Sequence, residues 1–66
     1  KNDLRKLVDN LPEEQKEVVM MRYFGDLSFK EIAEQTNVSI NTALGRMRYA
    51  LINLRKMIKE NQLILT

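Results

Sequence analysis

The sequence predicts an all-α fold: a compact four-helix bundle that contains a helix-turn-helix. Apolar residues recur at helical spacing along most of the 66 residues, and four helices and no strands are expected. Two helical patterns meet at one tight turn between Leu27 and Leu54, and the second of them is long and cationic. A chain of this length forms one domain at most, so residues 1–66 are expected to be a single helix-turn-helix domain.

The first two helices are predicted from their apolar spacing and their boundary residues. The first is expected from about Asn2 to Asn10. The second is expected to begin at Pro12, because proline is favoured in the first helical turn. It should end at Gly25, a residue type favoured just after a helix because it adopts the left-handed backbone conformation. Its apolar residues are Val18, Val19, Met20, Met21, Tyr23 and Phe24.

The third helix is predicted from its first turn and from the turn that follows it. Ser28 and Glu31 match a capping box, in which each side chain bonds the backbone N–H of the other residue. The helix should end near Thr36. Asn37 should then adopt the left-handed conformation, which asparagine tolerates better than most residues. Val38 is expected to plug this turn into the core.

The fourth helix is expected to be capped by Ser39 or Asn41 and to run to about Glu60. At 100° per residue one stripe is apolar and should face the core, with Leu44 at its edge. The stripe consists of Ile40, Ala43, Met47, Ala50, Leu51, Leu54, Met57 and Ile58. The opposite face consists of Asn41, Gly45, Arg48, Ile52, Lys56 and Lys59, with Thr42, Arg46 and Tyr49 beside it. Residues 63–66 are a short apolar tail, expected either to pack back on the bundle or to be disordered.

Composition excludes most kinds of chemistry. The chain has no Cys and no His, so disulfides, thiolate or imidazole metal sites and histidine-based catalysis are excluded. No catalytic constellation, cofactor site or metal site is visible, and an enzyme is the least favoured class. No apolar run approaches the ~20 residues that span a membrane, and no signal peptide opens the chain. A cytoplasmic location is expected, and the initial Lys1 suggests a fragment of a longer protein.

The charges are unevenly distributed, although the net charge is only +2. Residues 1–27 carry five positive and six negative charges, whereas residues 28–66 carry six positive and three negative ones. Between Ser39 and Lys59 there are five cations and no acid. This asymmetry favours a polyanionic partner for one surface, and a solvated helix face is the alternative.

The turn region carries most of the pattern of a DNA-binding helix-turn-helix. Ala33 supplies the small residue where the two helices approach, and Asn37 follows four residues later in the turn. Val38 locks the angle, and Ala43 points inward one turn into the next helix. A cationic second helix of this kind enters the DNA major groove. A plain helical hairpin inside a bundle is the alternative.

These residues together resemble region four of bacterial sigma factors of the sigma-70 family, most closely the extracytoplasmic-function type. The resemblance covers about three quarters of the chain. Its motifs are Leu11-Pro12 followed by acids, residues 18–24, residues 27–33, Val38-Ser39, Thr42, Arg46-Met47, Ala50 and Leu54-Arg55. The sequence departs from the family at three positions. Relatives often carry Lys or Arg in place of Leu44, Ser in place of Gly45 and Arg in place of Tyr49. Its base preference should therefore differ from theirs.

The resemblance implies a function and partners. Region four recognises the −35 element of a promoter, docks on the flap of the RNA polymerase β subunit and has no catalytic activity. The implied partners are promoter double-stranded DNA, core RNA polymerase through the β flap, and an anti-sigma factor, with no membrane partner. A region-two domain would lie upstream. A subset of the apolar residues at 20–24, with Leu4, Leu7 and Val8, could form the groove for the flap helix.

Nine residues are candidates for DNA contact. Asn41, Thr42, Leu44, Gly45 and Arg48 are expected at base edges, where Asn can read adenine, Arg guanine and Leu a thymine methyl group. Arg46, Tyr49, Ser28 and Lys30 are expected at phosphates. Simpler roles stay open for several of them. The alternative role of Ser28, Asn41 and Thr42 is to cap helices without contacting DNA. The alternative for Arg46 is an ion pair with Glu31 or Glu34, and that for Tyr49 is packing against the core.

Two other classes of function are also compatible with the sequence. A response-regulator-type helix-turn-helix output domain has a similar four-helix form and would dimerise through its last helix. A protein-interaction helical bundle would have no useful DNA affinity. Self-association and inverted half-sites would indicate the first, and absence of salt-dependent DNA binding would indicate the second.

Overall fold

The computed structural model describes the backbone of residues 3–65 and the side chains of residues 4–60. Within that part the chain forms helices and no strand, which confirms the predicted all-α class. The helices are α1 (Asp3–Asp9), α2 (Glu13–Val19) with a π-helical continuation (Met20–Phe24), α3 (Phe29–Thr36) and α4 (Ile40–Leu65). None of the helices in this part combines the length and the apolar character that a membrane span requires.

One hydrophobic core holds the four helices together. The long helix α4 packs against α1, α2 and α3, and α1 also packs against α2. The buried side chains are Val8, Leu11, Val18, Val19, Ile32, Ala33, Ala43, Met47, Ala50 and Leu54. Among the described side chains no polar or charged one is buried, so the burial of apolar area drives the packing.

The junction between α1 and α2 differs by one residue from the prediction at Pro12. Pro12 has φ −53° and ψ 148°, so it precedes the first helical residue and the helix begins at Glu13. The carbonyl of Pro12 still accepts the first helical bond, from the N–H of Lys16 at 2.9 Å. Asp9 lies 3.4 Å from the Lys16 ammonium and 3.6 Å from Arg5, which links the two helices at their exposed edge.

The end of the second helix departs from the prediction. The N–H of Gly25 donates to the carbonyl of Met20 at 2.9 Å, a bond that spans five residues and defines the π-helical segment. The extra residue moves the helix cap one position along the chain. Gly25 therefore has a right-handed conformation, with φ −91°, and Asp26 takes the left-handed one, with φ 57°. Aspartate tolerates that conformation because its short polar side chain bonds locally.

Gly25 is needed for space and not for a positive φ. A Cβ atom there would lie 2.9 Å from the backbone oxygen of Met21, closer than carbon and oxygen can approach without a shift of backbone. We expect Gly25→Ala to lower the free energy of unfolding by about 1–3 kcal/mol, as overpacking does. Gly45→Ala is the matched control, since a Cβ at Gly45 would meet nothing within 4 Å.

Thermal unfolding monitored by circular dichroism tests this pair of glycines. Gly45→Ala should raise the free energy of unfolding by about 1 kcal/mol, because alanine is the better helix former. A change of that size moves the melting temperature of a small domain by about 4–8 °C. Equal effects of the two substitutions would contradict the steric role assigned to Gly25.

The structure confirms both predicted features of α3. The Ser28 hydroxyl accepts from the N–H of Glu31 at 3.1 Å, and the Glu31 carboxylate accepts from the N–H of Ser28 at 2.8 Å. These bonds hold the pKa of the Glu31 carboxyl below its usual value, with the backbone bond to Ser28 as the main cause. The stabilisation by the ionised box is present above the unfolded pKa and is lost as pH falls through the lower folded pKa. At the other end Asn37 has φ 62° and ψ 42°.

The helix α4 is longer than predicted and less completely covered. It continues past Glu60 to Leu65, so most of the predicted tail is helical; Thr66 lies outside the described residues. Ile40 and Ile58 were expected in the core, but they are 47% and 39% exposed. A helix of 26 residues is about 39 Å long, whereas α1 has seven residues and α2 has seven with a π-helical continuation of five, so these helices are too short to cover all of it.

Candidate nucleic-acid interface

The turn between α3 and α4 fixes how α4 leaves the core. The left-handed Asn37 lets the N–H of Val38 donate to the carbonyl of Ala33 at 3.0 Å, which closes a Schellman-type turn. Val38 is half-buried against the core, as expected. Ala33 and Ala43 are both buried, so the backbones of α3 and α4 approach closely here. The direction of α4 is therefore set by packing and by backbone bonds.

Ser39 and not Asn41 caps α4. The Ser39 hydroxyl accepts from the N–H of Thr42 at 3.1 Å and lies 3.0 Å from the Thr42 hydroxyl. The Thr42 side chain is thus engaged in the first turn of the helix. Asn41 is exposed and is not needed as the cap, which leaves its amide available for a partner.

The outward face of the first turns of α4 is open. Asn41, Leu44, Arg48 and Tyr49 are exposed, and Gly45 lies among them with nothing near the position of a Cβ. Tyr49 is 61% exposed, so it is not the half-buried packing residue considered as its alternative role. These side chains combine amide, guanidinium, phenol and apolar groups on a surface that no other helix of the described chain covers.

Arg46 lies on the side of α4 that faces α2. Its guanidinium is 3.8 Å from the carboxylate of Glu14, and the side chain is 24% exposed. The alternative pairing with Glu31 or Glu34 is therefore wrong. The cause is the helical register, because Arg46 is turned towards α2 while α3 packs against the other edge of α4. About two turns further on, Asn53 donates to Gln15 at 2.7 Å and ties the same two helices together.

Ser28 and Lys30 lie at the start of α3. The side chain and the backbone N–H of Ser28 both bond Glu31 in the capping box, so helix capping alone explains a serine at this position. Lys30 is exposed in the first turn of this helix. The two residues are on a different helix from the other candidates, and α3 and α4 pack against each other.

A shallow groove runs along α4 beside the predicted face. Its volume is about 470 Å³. Its lining consists of Leu44, Met47, Arg48, Leu51, Ile52 and Arg55. Leu44 and Arg48 are among the nine candidate contact residues, and helical periodicity already places Ile52 on the face of Arg48. Arg55 is not among the candidates, although its position seven residues after Arg48 puts it on the same side of the helix.

A second apolar surface lies on α1 and the π-helical segment, away from this face. Leu4, Tyr23 and Phe24 are 54%, 66% and 53% exposed, and the guanidinium of Arg5 lies over the Phe24 ring at 5.5 Å. The prediction left open which subset of the apolar residues forms this surface. Val8 is buried in the core and cannot line a groove; Leu7, Met20 and Met21 pack partly against the core.

Arg22 braces the loop that follows the π-helical segment. Its guanidinium donates to the carbonyl of Leu27 at 3.1 Å and lies over the Phe29 ring at 5.4 Å.

Among the residues described, no group of three or more acidic side chains is arranged to hold a metal ion. The polar chemistry of this part of the chain is therefore that of helix caps, ion pairs and exposed cations.

The sequence of the chain is similar to that of a known protein family and to those of individual proteins. The sequence model of the family described as "Sigma-70, region 4" matches residues 1–51. The chain is 36% identical over 61 residues to the RNA polymerase sigma factor SigV of Bacillus subtilis, and covers 37% of that protein with 92% of its own length. It is also 36% identical over 53 residues to the ECF RNA polymerase sigma factor RpoE of Cereibacter sphaeroides, covering 29% of it with 80% of its own length. No solved structure matches the chain.

Proposed function

Because the chain belongs to the region 4 family of sigma-70 factors, we propose that it binds the −35 element of promoter DNA and docks on the β flap of RNA polymerase. The observation that carries the DNA-binding part is the uncovered face of the first turns of α4. The chain spans only 37% and 29% of the two relatives, so the proposal concerns promoter contact and flap docking and not the activities of a whole sigma factor.

The proposed docking places α4 in the major groove. An α-helix fits this groove, and base edges there carry a distinct pattern of donors and acceptors. Arg48 would donate to guanine and Asn41 would bond adenine, since both side chains are exposed on the outward face. Thr42 contributes chiefly through the first turn that it helps to fix.

Phosphate contacts would come from both sides of that face. Tyr49 is exposed beside Arg48 and offers a hydroxyl donor, and Lys30 offers a cation at the start of α3. Ser28 would act through the capping box, which orders the helix N-terminus that phosphates favour. Arg46 would reach a phosphate only by giving up its ion pair with Glu14.

The proposal is tested by binding the 66-residue chain to a randomised duplex library at two salt concentrations. Neutralising about four phosphates gives a slope of log affinity against log salt near −4. A sequence preference with such a slope supports promoter reading. Preference for inverted half-sites together with self-association would instead indicate a response-regulator-type output domain. No binding at low salt would leave a protein-interaction bundle.

The ion pair between Arg46 of α4 and Glu14 of α2 should limit the affinity for DNA. Because Glu14 competes with a phosphate for Arg46, we expect Glu14→Gln to tighten DNA binding by up to about fivefold, the scale of an exposed ion pair. Fluorescence anisotropy with a labelled duplex measures the dissociation constant. Glu17→Gln removes a charge from the same helix without touching this ion pair and serves as the control. Weaker binding by Glu14→Gln would show that Glu14 positions Arg46 instead.

The flap-docking part rests on the apolar surface formed by Leu4, Tyr23 and Phe24. Exposed apolar patches of this kind mark interaction sites, and the resemblance to region four supplies the flap helix as the occupant. Phe24→Ser should weaken binding to an isolated β-flap fragment and leave DNA affinity unchanged. Arg48→Ala should weaken DNA binding and leave the affinity for the β-flap fragment unchanged. Unchanged flap binding by Phe24→Ser would show that this apolar surface is not the flap site.

A further inference from the structure

Gly45 has no structural explanation within the described part of the chain. It does not have a positive φ, so its backbone conformation does not require glycine. A Cβ atom there would meet nothing within 4 Å, so packing does not require glycine either. Glycine also weakens the helix in which it lies. What a bare backbone does provide, where no neighbouring group lies near the position of a Cβ, is room for a partner to come close to the helix axis.

Gly45 is one of four residues that helical geometry places around a hole between side chains on the outward face of α4. Residues at i, i+3, i+4 and i+7 surround such a hole on any helix. Here they are Asn41, Leu44, Gly45 and Arg48, and we call this hole the α4 notch. Leu44 supplies an apolar wall that is 43% exposed, and Gly45 leaves the opposite wall without a side chain. Two polar residues, Asn41 and Arg48, stand at the ends of the notch.

The chemistry of the notch selects one group of the major groove. Leu44 can neither donate nor accept a hydrogen bond, so an amino group or a carbonyl oxygen placed against it would lose its bond to water. Thymine is the base that presents an apolar group on this edge, its C5-methyl. A methyl group is also small enough to enter a hole that is bounded by one leucine and one bare backbone segment.

We propose that the α4 notch receives the C5-methyl group of a thymine. Leu44 contacts the methyl group, and the missing side chain of Gly45 lets α4 lie close enough for that contact. Asn41 and Arg48 then face the neighbouring base pairs on either side along the groove. The inference rests on the proposed DNA binding through α4 and names one base that this face reads.

Replacing thymine by deoxyuridine tests the notch without altering the protein. Starting from the preferred duplex of the library, each thymine is changed in turn to deoxyuridine, which lacks only the methyl group. We expect one position at which this change weakens binding about fourfold, the effect of one buried methyl group. The Leu44→Ala variant should bind the thymine and deoxyuridine duplexes at that position equally.

Two further variants sharpen the test. Gly45→Ala should bind the preferred duplex less tightly than the parent chain although its melting temperature is higher, which separates a contact from a loss of fold. Ile58→Ala removes an equally exposed apolar side chain about 21 Å further along α4 and should leave the thymine discrimination unchanged.

Four results would overturn the inference. A sequence preference with no position sensitive to the methyl group would contradict the notch while leaving the proposed function intact. Retained discrimination in Leu44→Ala, or undiminished binding by Gly45→Ala, would contradict the residues assigned to it. Absence of any sequence preference in the parent chain would contradict the proposed function itself, and the notch with it.

Discussion

Replacing Ile32 by alanine is expected to lower the free energy of unfolding by about 2–5 kcal/mol, the range for a truncated core isoleucine. Ile32 is fully buried on α3, at the centre of the core that α3 and α4 share. A domain of this size has a total stability of roughly 3–10 kcal/mol. The variant should therefore unfold at a markedly lower urea concentration than the parent chain, as judged by urea titration followed by circular dichroism.

The same substitution at an exposed position provides the control. Ile58 is 39% exposed near the end of α4, and Ile58→Ala should change the free energy of unfolding by no more than about 0.5 kcal/mol. Similar losses for the two variants would mean that α4 is covered near Ile58 in solution. They would then contradict the account of which part of α4 carries the core.

Replacing Arg48 by alanine is expected to have the largest effect on recognition. Arg48 is exposed on the outward face of α4, and a bidentate contact to guanine is worth about 1–3 kcal/mol of discrimination. We expect the preference at one base pair to fall by about tenfold or more, while preferences at other positions persist. Selection from the randomised library, repeated with the variant, measures this position by position.

Arg55→Ala is the matched control for Arg48. Arg55 lines the same groove about two turns further along α4 and carries the same charge. Its loss should weaken binding, if at all, by a similar factor for all sequences, as the loss of a phosphate contact does. Uniform weakening by Arg48→Ala as well would show that Arg48 holds a phosphate and reads no base.

The local signals in the sequence were sufficient for the helix-turn-helix. The bonds of the capping box and the left-handed turn are made within a few residues, so Ser28, Glu31 and Asn37 carry the information themselves. The periodicity of α4 likewise predicted the buried positions Ala43 and Ala50, because helical geometry alone places them on one stripe.

The π-helical segment could not be predicted from the sequence. A run of five residues covers little more than one turn, so apolar spacing cannot distinguish a bond to the fifth preceding residue from one to the fourth. The shifted cap followed from this, with Asp26 and not Gly25 in the left-handed conformation. The exposure of Ile40 and Ile58 depends on the lengths of the neighbouring helices, which a single periodic pattern does not contain.

Which of the candidate residues are exposed could largely be predicted from the sequence, and how they are arranged only partly. The exposed positions of Asn41, Leu44 and Arg48 follow from the helical wheel. The partner of Arg46 is Glu14, which lies 32 residues earlier in the sequence, and such a pairing depends on how α2 and α4 pack. The groove lined by Leu44 could be recognised only in the three-dimensional structure, because it depends on which side of α4 the other helices leave open.

The central claim is that the outward face of the first turns of α4 contacts the bases, and an NMR titration tests it most directly. The isotope-labelled chain is titrated with its preferred duplex, and the backbone amide shifts are followed. We expect the largest changes at residues 41–49, with smaller ones near Lys30 and none at Tyr23 and Phe24. Large changes confined to α1 and the π-helical segment, with α4 unaffected, would contradict the claim.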